Sequence, residues 1–299
     1  MNRLESMSVL VAVVEAGSLS AASRKLKMPL PTVSRKVSEL EAHVKARLLT
    51  RSTRQLALTD AGHAYVAACK RILQDVAEAE RGASGEYSAP KGELTMTAPL
   101  VFGRLHVLPV TAEFLKAYAD VDVRLLLADR TLNLLDDHLD LAVRIGELPD
   151  SSPIAIRVGE TRRVVCASPA YLAQHGALKN PENLAKHDCV TFAGFTGSEA
   201  WTFQAERAEQ SIPIHSRLIV NTAEAAIDAA IAGVGLTRVL SYQIAAAVQA
   251  GTLVVVLKKF EGAPAPISLV YAGGRRLPLK LRAFLDFAAP RLRARMRAA

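Results

Sequence analysis

Three cysteines in 299 residues, Cys69, Cys166 and Cys189, are odd in number, far apart and free of metal-ligand spacing. That leaves no disulfide framework and no zinc motif, and the thiols are expected to be buried and free in a reducing cytosol. No stretch reaches the ~18 uncharged apolar residues of a membrane span, and Met1 to Glu5 open no apolar run of signal-peptide length. A cytoplasmic protein with no membrane partner is therefore expected. Internal repeats and long low-complexity segments are missing too. So are the motifs of catalysis. His187-Asp188, His106, His138, His175 and the scattered serines form no nucleophile elbow, phosphate loop or metal motif. The histidines read more simply as surface or capping residues, and the expectation is a protein that is not an enzyme, with no cofactor and no metal.

What is present is enough apolar material, 50% of residues, to bury proper cores. The length suits about two or three compact units. The net charge of +8 is unevenly placed: residues 1–60 hold ten Lys/Arg against five Asp/Glu, residues 275–297 hold eight against one, and the long middle is mildly acidic. A basic head on a non-basic body fits a polyanion-binding module joined to something else, with plain solubility charge as the alternative. The basic tail from Arg291 reads equally as added DNA affinity or as a solvated helix end.

Leu4, Met7, Leu10, Val11 and Val14 recur at helical spacing until Gly17. Ser18 is a ready N-cap for a second short helix carrying Ala21, Ala22 and Leu26. Pro31 suits the first turn of a third helix, whose apolar positions are Val33, Val37, Leu40 and Val44. Three short helices, the last two joined by a tight turn, form a helix-turn-helix pattern. The buried stripe leaves Thr32, Ser34, Arg35 and Ser38 facing outward, short hydroxyls and a forked cation suited to phosphates and base edges. Leu48, Leu49, Arg51, Arg54, Leu56 and Leu58 then alternate as a two-stranded basic wing. Any single arginine there could equally be a solvated surface charge.

From Asp60 to about Arg81 a long helix carries Tyr65, Cys69, Ile72, Val76 and Ala79 at seam spacing. A partner helix, and so a dimer, is the natural cover, with packing on the rest of the same chain as the alternative. Gly82, Gly85 and Pro90 mark a hinge. Beyond it, strands at Leu94–Thr97, Val121–Ala128, Leu141–Ile145, Arg163–Ala167, Leu218–Asn221 and Pro264–Tyr271 alternate with helices. Those helices are expected at Arg104–Tyr118, Asn133–His138, from Pro169, at Thr222–Ala232 and at Leu279–Arg293. This rhythm predicts α/β domains with mostly parallel sheets.

Several of these segments resemble the LysR-type transcriptional regulators. The match runs through Ala16-Gly17-Ser18-Leu19-Ser20-Ala21-Ala22, Leu26, Ser34-Arg35, Leu40-Glu41, Arg51-Ser52-Thr53-Arg54 and Leu58-Thr59-Asp60-Ala61-Gly62. It continues in Ala98 to Gly103, Leu141 to Gly146, Ala167 to Leu172 and Ala232 to Gly235, and so covers nearly the whole chain. Two framework positions depart from the pattern: Val44-Lys45 stands where Leu-Gly is usual, and Leu48-Leu49 where Leu-Phe is usual. The resemblance implies an α/β protein with a winged helix-turn-helix at 1–59 and a dimerising linker helix and hinge at 60–89. A two-lobed effector-binding domain like a periplasmic binding protein would follow at 90–299, lobe I being about 90–161 and 265–299 and lobe II about 162–264. It further implies dimers assembling into tetramers, a double-stranded DNA operator, a small organic acid or aromatic effector, and RNA polymerase as a further partner.

On the DNA side, Pro31, Thr32, Ser34, Arg35 and Ser38 match the family's recognition helix, with Arg51 and Arg54 on the wing. For the effector, α/β sheets bind ligands at the carboxyl ends of strands. In this chain those positions are Ala98, Pro99, Leu100, Val101 and Phe102 after the first strand, Asp129 and Arg130 after the second, and Arg144, Ile145 and Gly146 after the third. Phe195, Trp201, Asn221 and Thr222 are added from the other lobe. Trp201 reads more readily as core packing, Arg144 equally as an ion pair with Asp140 or Glu147, and Asp129-Arg130 as a self-satisfied pair. Rival readings are a solute-binding protein, which leaves the first sixty residues unexplained, and an architectural DNA-binding protein, which leaves the α/β body idle.

Overall fold

The computed structural model describes residues 2–51, 56–83, 89–148, 154–192, 200–204, 209–273 and 277–298. The chain divides into two compact units, Met1–Ser88 and Ala89–Ala299.

The first unit runs α1 (Arg3–Ala16), α2 (Leu19–Leu26), α3 (Leu30–Val44), β1 (Leu49–Arg51), β2 (Leu56–Leu58) and α4 (Asp60–Ala83). Gly17, at φ +71°, ends α1, and the Ser18 hydroxyl accepts from Ala21 N at 3.1 Å to start α2. Val9, Leu10 and Val13 of α1 pack with Val33, Val37 and Leu40 of α3 into one core, joined by Leu48, Leu49 and Cys69. Both departures from the family pattern are thereby accommodated. Leu48 and Leu49 are buried, and Lys45 takes the left-handed conformation at φ +54° that closes α3. A non-glycine residue there costs on the order of 1 kcal/mol. Glu41 Oε1 accepts from Leu48 N at 2.8 Å and Leu49 N at 3.0 Å, so the third helix fixes where the wing begins. The wing is antiparallel, with Leu49 opposite Leu58.

The second unit holds β3 (Gly92–Ala98), α5 (Leu100–Phe102), a π-helical turn at Gly103–Val107, α6 (Leu108–Ala117), β4 (Val121–Leu127) and β5 (Leu141–Ile145). Next come β6 (Ile154–Thr161), β7 (Arg163–Ala167), α7 (Pro169–His175), β8 (Asp188–Phe192), β9 (Ala200–Gln204), β10 (Glu209–Pro213) and β11 (His215–Val220). The unit ends with α8 (Ala223–Ile231), β12 (Leu236–Leu240), α9 (Ser241–Gln249), β13 (Val254–Val256), β14 (Ala265–Tyr271) and α10 (Leu279–Ala298). Among the described residues they form two five-stranded sheets, ordered β4-β3-β5-β14-β6 and β11-β8-β12-β7-β13, plus the hairpin β9–β10. Each sheet is the floor of one lobe.

These sheets are mixed, which corrects the expectation of mostly parallel ones. β3 pairs in parallel with β4 and β5, but β14 returns late in the chain and inserts antiparallel between β5 and β6. In the other lobe β7 is antiparallel to both β12 and β13. The helix expected at Asn133–His138 is also corrected to a turn. Asn133 N donates to Asp137 Oδ2 at 2.7 Å, Leu135 N donates to Asn133 Oδ1 at 2.9 Å, and His138 turns left-handed at φ +57°. Short polar side chains there compete for the donors that a helix would use.

The run from α5 to α6 bends through the π-turn just before Pro109, whose ring nitrogen offers no N–H to the Leu105 carbonyl. Arg295 Nη2 of α10 donates to that carbonyl at 3.2 Å. Arg291 and Arg293 of the same helix bind Glu113 and the Arg157 carbonyl, so three arginines of the basic tail rest on their own unit. All three cysteines are buried, and burial pushes the Cys166 and Cys189 thiols up to about 12.

Two predictions follow from packing. A methyl group on Gly62 would lie 2.0 Å from the Leu48 carbonyl oxygen, and backbone cannot yield as a side chain can. Gly62→Ala is expected to destabilise the first unit by about 2 kcal/mol, read as a lower denaturant midpoint. The second concerns His106 and His187, both buried. Burial, then Arg295, holds His106 below the ordinary histidine value, and burial, then His175, does so for His187. Unfolded, both take protons near pH 6.5, so the unfolded chain binds more protons below that pH and stability falls as pH drops through it. Melts at pH about 7.5 and about 5.5 should show this loss, and His106→Leu should shrink it. An unchanged gap in that variant would clear His106 of the effect.

Candidate functional site

Two surfaces carry the functional residues, one in each unit. In the first unit, α3 starts after Pro29, whose carbonyl accepts from Thr32 N and Val33 N at 2.9 and 3.1 Å. Its buried stripe turns Pro31, Arg35 and Ser38 outward, with Thr32 and Ser34 half-buried beside them. Lys36, one residue on, reaches back to Glu5 at 2.6 Å and ties α3 to α1. The Arg35 side chain is 64% exposed, and Nη1 lies 2.8 Å from Glu39 Oε1 one turn along. Sequence reasoning missed Glu39, although the i,i+4 spacing would have revealed it. An exposed pair of this kind is worth only ~0.3–0.5 kcal/mol, so a phosphate could displace the carboxylate at little cost. Arg51 ends β1, but its side chain, like Arg54, lies outside the described residues.

In the second unit a cavity of about 840 Å³ opens between the two lobes. Its first wall is built at the carboxyl ends of β3, β4 and β5, where Ala98, Pro99, Asp129, Arg130, Arg144, Ile145 and Gly146 come together. Trp201 of β9 faces them from the other lobe. Leu100 is half-buried outside this lining, and its N–H donates to Asp129 Oδ1 at 3.0 Å. Val101 and Phe102 do not line the cavity; they are 2% and 0% exposed and belong to the lobe core. Asn221 and Thr222 also stand apart from it, the Thr222 hydroxyl accepting from Ala225 N at 3.3 Å to cap α8. Phe195 lies outside the described residues.

Arg144 donates to the Leu132 carbonyl rather than pairing with Asp140, which accepts from Thr95 N at 2.8 Å and faces Lys280 at 3.6 Å. Burial lowers the Arg144 pKa, while Asp137 works against that shift. Asp129 caps Leu100 instead of holding Arg130. Trp201, 5% exposed, both packs in the lobe core with Phe203 and borders the cavity.

Sequence reasoning missed the second wall: Arg163, Arg238, Tyr242, Gln243 and Thr202. The available signal was an arginine interrupting an otherwise apolar strand, as in Leu236-Thr237-Arg238-Val239-Leu240, where an unneeded charge is costly. Arg238 Nη2 donates to the Thr202 carbonyl, its Cζ lies 5.1 Å from the Phe203 ring centre, and burial followed by Arg163 pushes its pKa down to about 10. Tyr242 joins cleft to core: its ring meets Phe102 edge-on at 5.3 Å, and burial raises its hydroxyl pKa.

Among the described residues no group of three or more His, Cys, Asp or Glu could hold a metal ion, and no single helix is long and apolar enough to cross a membrane. Residues 4–63 match the family model described as bacterial regulatory helix-turn-helix protein, lysR family, and residues 88–293 match the LysR substrate binding domain. An HTH-type transcriptional regulator of Xanthomonas campestris pv. campestris is 34% identical over 293 residues, covering 97% of this chain and 85% of the relative. CrgA, a LysR-type transcriptional regulator from Neisseria meningitidis, aligns with a TM-score of 0.62 at 31% identity, over 96% of this chain and 98% of that one. The full-length Vibrio cholerae virulence activator AphB aligns with a TM-score of 0.61 at 26% identity, over 95% and 98%. These relatives are transcription regulators and not enzymes. A winged helix-turn-helix followed by two α/β lobes around a cleft, matched by both family models, places this chain in the LysR family of DNA-binding transcription regulators with an effector-binding domain.

Proposed function

We propose that the protein binds a double-stranded operator as a homodimer, assembling further to a homotetramer, and that a small organic acid or aromatic acid in the interlobe cleft controls it. The observation that carries the effector reading is the cleft itself: four arginines line it against two carboxylates, Asp129 and Glu209, beside Trp201 and Phe203. Cations with aromatic neighbours suit an anion attached to a flat apolar body. The effector would shift populations between arrangements of the dimers, needing only ~1–3 kcal/mol of differential affinity. RNA polymerase is the partner through which activation would be read.

On the DNA side, Arg35 with Pro31, Thr32, Ser34 and Ser38 would enter the major groove, and Arg51 and Arg54 would follow the backbone beside it. The dimer is supported by α4. Its first turns pack on α1 through Val66 and Cys69, but Ile72 further along is 40% exposed and continues the apolar stripe. A second copy of the helix is the natural cover for it.

A footprint on the DNA upstream of the protein's own gene tests the reading. A protected dyad-symmetric site that shifts with an inducer is expected. Salt-sensitive binding to all DNA without protection would favour an architectural protein. Arg35→Ala should weaken operator binding tenfold or more, about 1–3 kcal/mol, with an unchanged melting temperature; an unaltered footprint would remove Arg35 from the interface. Ile72→Glu should turn the dimer into monomer in sedimentation, and a dimer that survives it would place the interface elsewhere.

A further inference from the structure

We propose that the cleft recognises a doubly charged oxyanion, a vicinal dicarboxylate or a phosphate group, seated on the Arg163–Arg238 pair of the second lobe and not at the helix start of the first. The inference rests on the reading of the cleft as the effector site and adds the charge and orientation of what enters it.

The register of β7 and β12 places the two arginines together. Leu240 lies opposite Arg163, and Arg238 opposite Val165, so both side chains leave the same face of the sheet on diagonal positions, with backbones roughly 7–8 Å apart. That face is the one covered by the β9–β10 hairpin, whose Trp201 and Phe203 pack with Val165 and Leu236. Arg238 is held in place from the hairpin by the Thr202 carbonyl and the Phe203 ring. Its Nε is buried and has no hydrogen-bond partner among the described residues. Arg163 is exposed at the cleft edge and makes no ion pair with any described residue.

Carboxylates that could neutralise the pair are engaged or apart. Glu261 borders the same arginines in a small crevice, but its Oε2 faces Arg162 at 3.7 Å. Glu209 lies on the hairpin rim opposite Gln204 and forms no ion pair with Arg163 or Arg238. Two like charges thus face one spot, and burial, with the Arg163 charge as the lesser cause, holds Arg238 down to about 10. A dianion placed between them would remove that repulsion and supply an acceptor for each fork.

The first lobe is differently committed. A helix start after a parallel strand usually receives an anion, but here Asp129 Oδ1 already accepts from Leu100 N at 3.0 Å. A ligand carboxylate there would meet a like charge. Arg144 gives its Nη2 to the Leu132 carbonyl and has Asp137 nearby. Arg130 is the remaining cation of that wall.

Trp201 is the chain's one tryptophan and borders the cavity, so its fluorescence reports on the cleft of the full chain without a label. The probes are maleate and inorganic phosphate as dianions, acetate and benzoate as monoanions, and benzamide as a neutral ring, at constant ionic strength. At least one dianion is expected to bind tenfold or more tighter than both monoanions. A response to maleate alone identifies a dicarboxylate, and a response to phosphate alone a phosphate group. Arg163→Gln and Arg238→Gln should each weaken it tenfold or more, Arg130→Gln less than either, and Arg124→Gln, exposed beside Glu93 and outside the cavity lining, should leave it unchanged. Because Arg238 also anchors the hairpin, Arg163→Gln, at an exposed position, is the decisive variant. Monoanions binding as tightly as dianions would overturn the proposal, as would dianion binding that survives Arg163→Gln. If all four anions are silent the proposal also falls. Benzamide binding in that case would preserve the effector cleft, and its silence would remove both readings.

Discussion

The cleft exists because the chain changes sheets between Thr161 and Arg163 and returns only at β14, so two separately built floors must be held at the crossing. The tie there is small and polar. Ser241 N donates to the Arg162 carbonyl at 2.8 Å, and the Ser241 and Thr161 hydroxyls lie 3.1 Å apart. Tyr242, the next residue, turns its ring into the first lobe against Phe102 and His106, and Arg104 reaches Glu224 at 3.4 Å. Everything that depends on the spacing of the two walls rests on this seam: the size of the cavity, and the distance from Arg144 to Arg238. Hydrogen bonds at a chain crossing combine with the contacts of one buried ring, a pattern that resists sliding but leaves some freedom to hinge.

Much of this was legible in the sequence where one local signal decided the outcome. The stripe Val33, Val37, Leu40 fixed which side of α3 is buried and thereby which residues face outward. Strand β5 occupies the predicted Leu141–Ile145 because five apolar or interrupted positions between an acid and a glycine admit little else. Local signals failed where partners were remote. The place of β14 between β5 and β6 depends on a return of the chain that no periodicity records. Asn133 to His138 has helical spacing, but its polar side chains take the backbone donors. In the cleft, strand-end logic found the first wall but carried it too far, into Val101 and Phe102, because a helix entering from a strand end turns its second and third residues inward. The second wall was missed because a charge inside an apolar strand is visible in the sequence, while the direction it points is not.

The first unit illustrates how framework and contact residues divide the work. Glu41, half-buried at the end of α3, accepts two wing N–H groups and so sets where β1 leaves the helix. Thr59 does the same at the far end, donating to the Arg47 carbonyl at 2.7 Å and accepting from Gly62 N at 2.9 Å.

The buried cysteines bear on what kind of signal the protein can receive. Burial pushes both thiols up to about 12, away from the thiolate, which is the form that peroxides and electrophiles attack. Cys166 and Cys189, sealed within the second lobe, therefore offer oxidants almost nothing to react with. The sheet that floors the second lobe thus uses its thiols as small apolar packing groups, and burial keeps them in the protonated form.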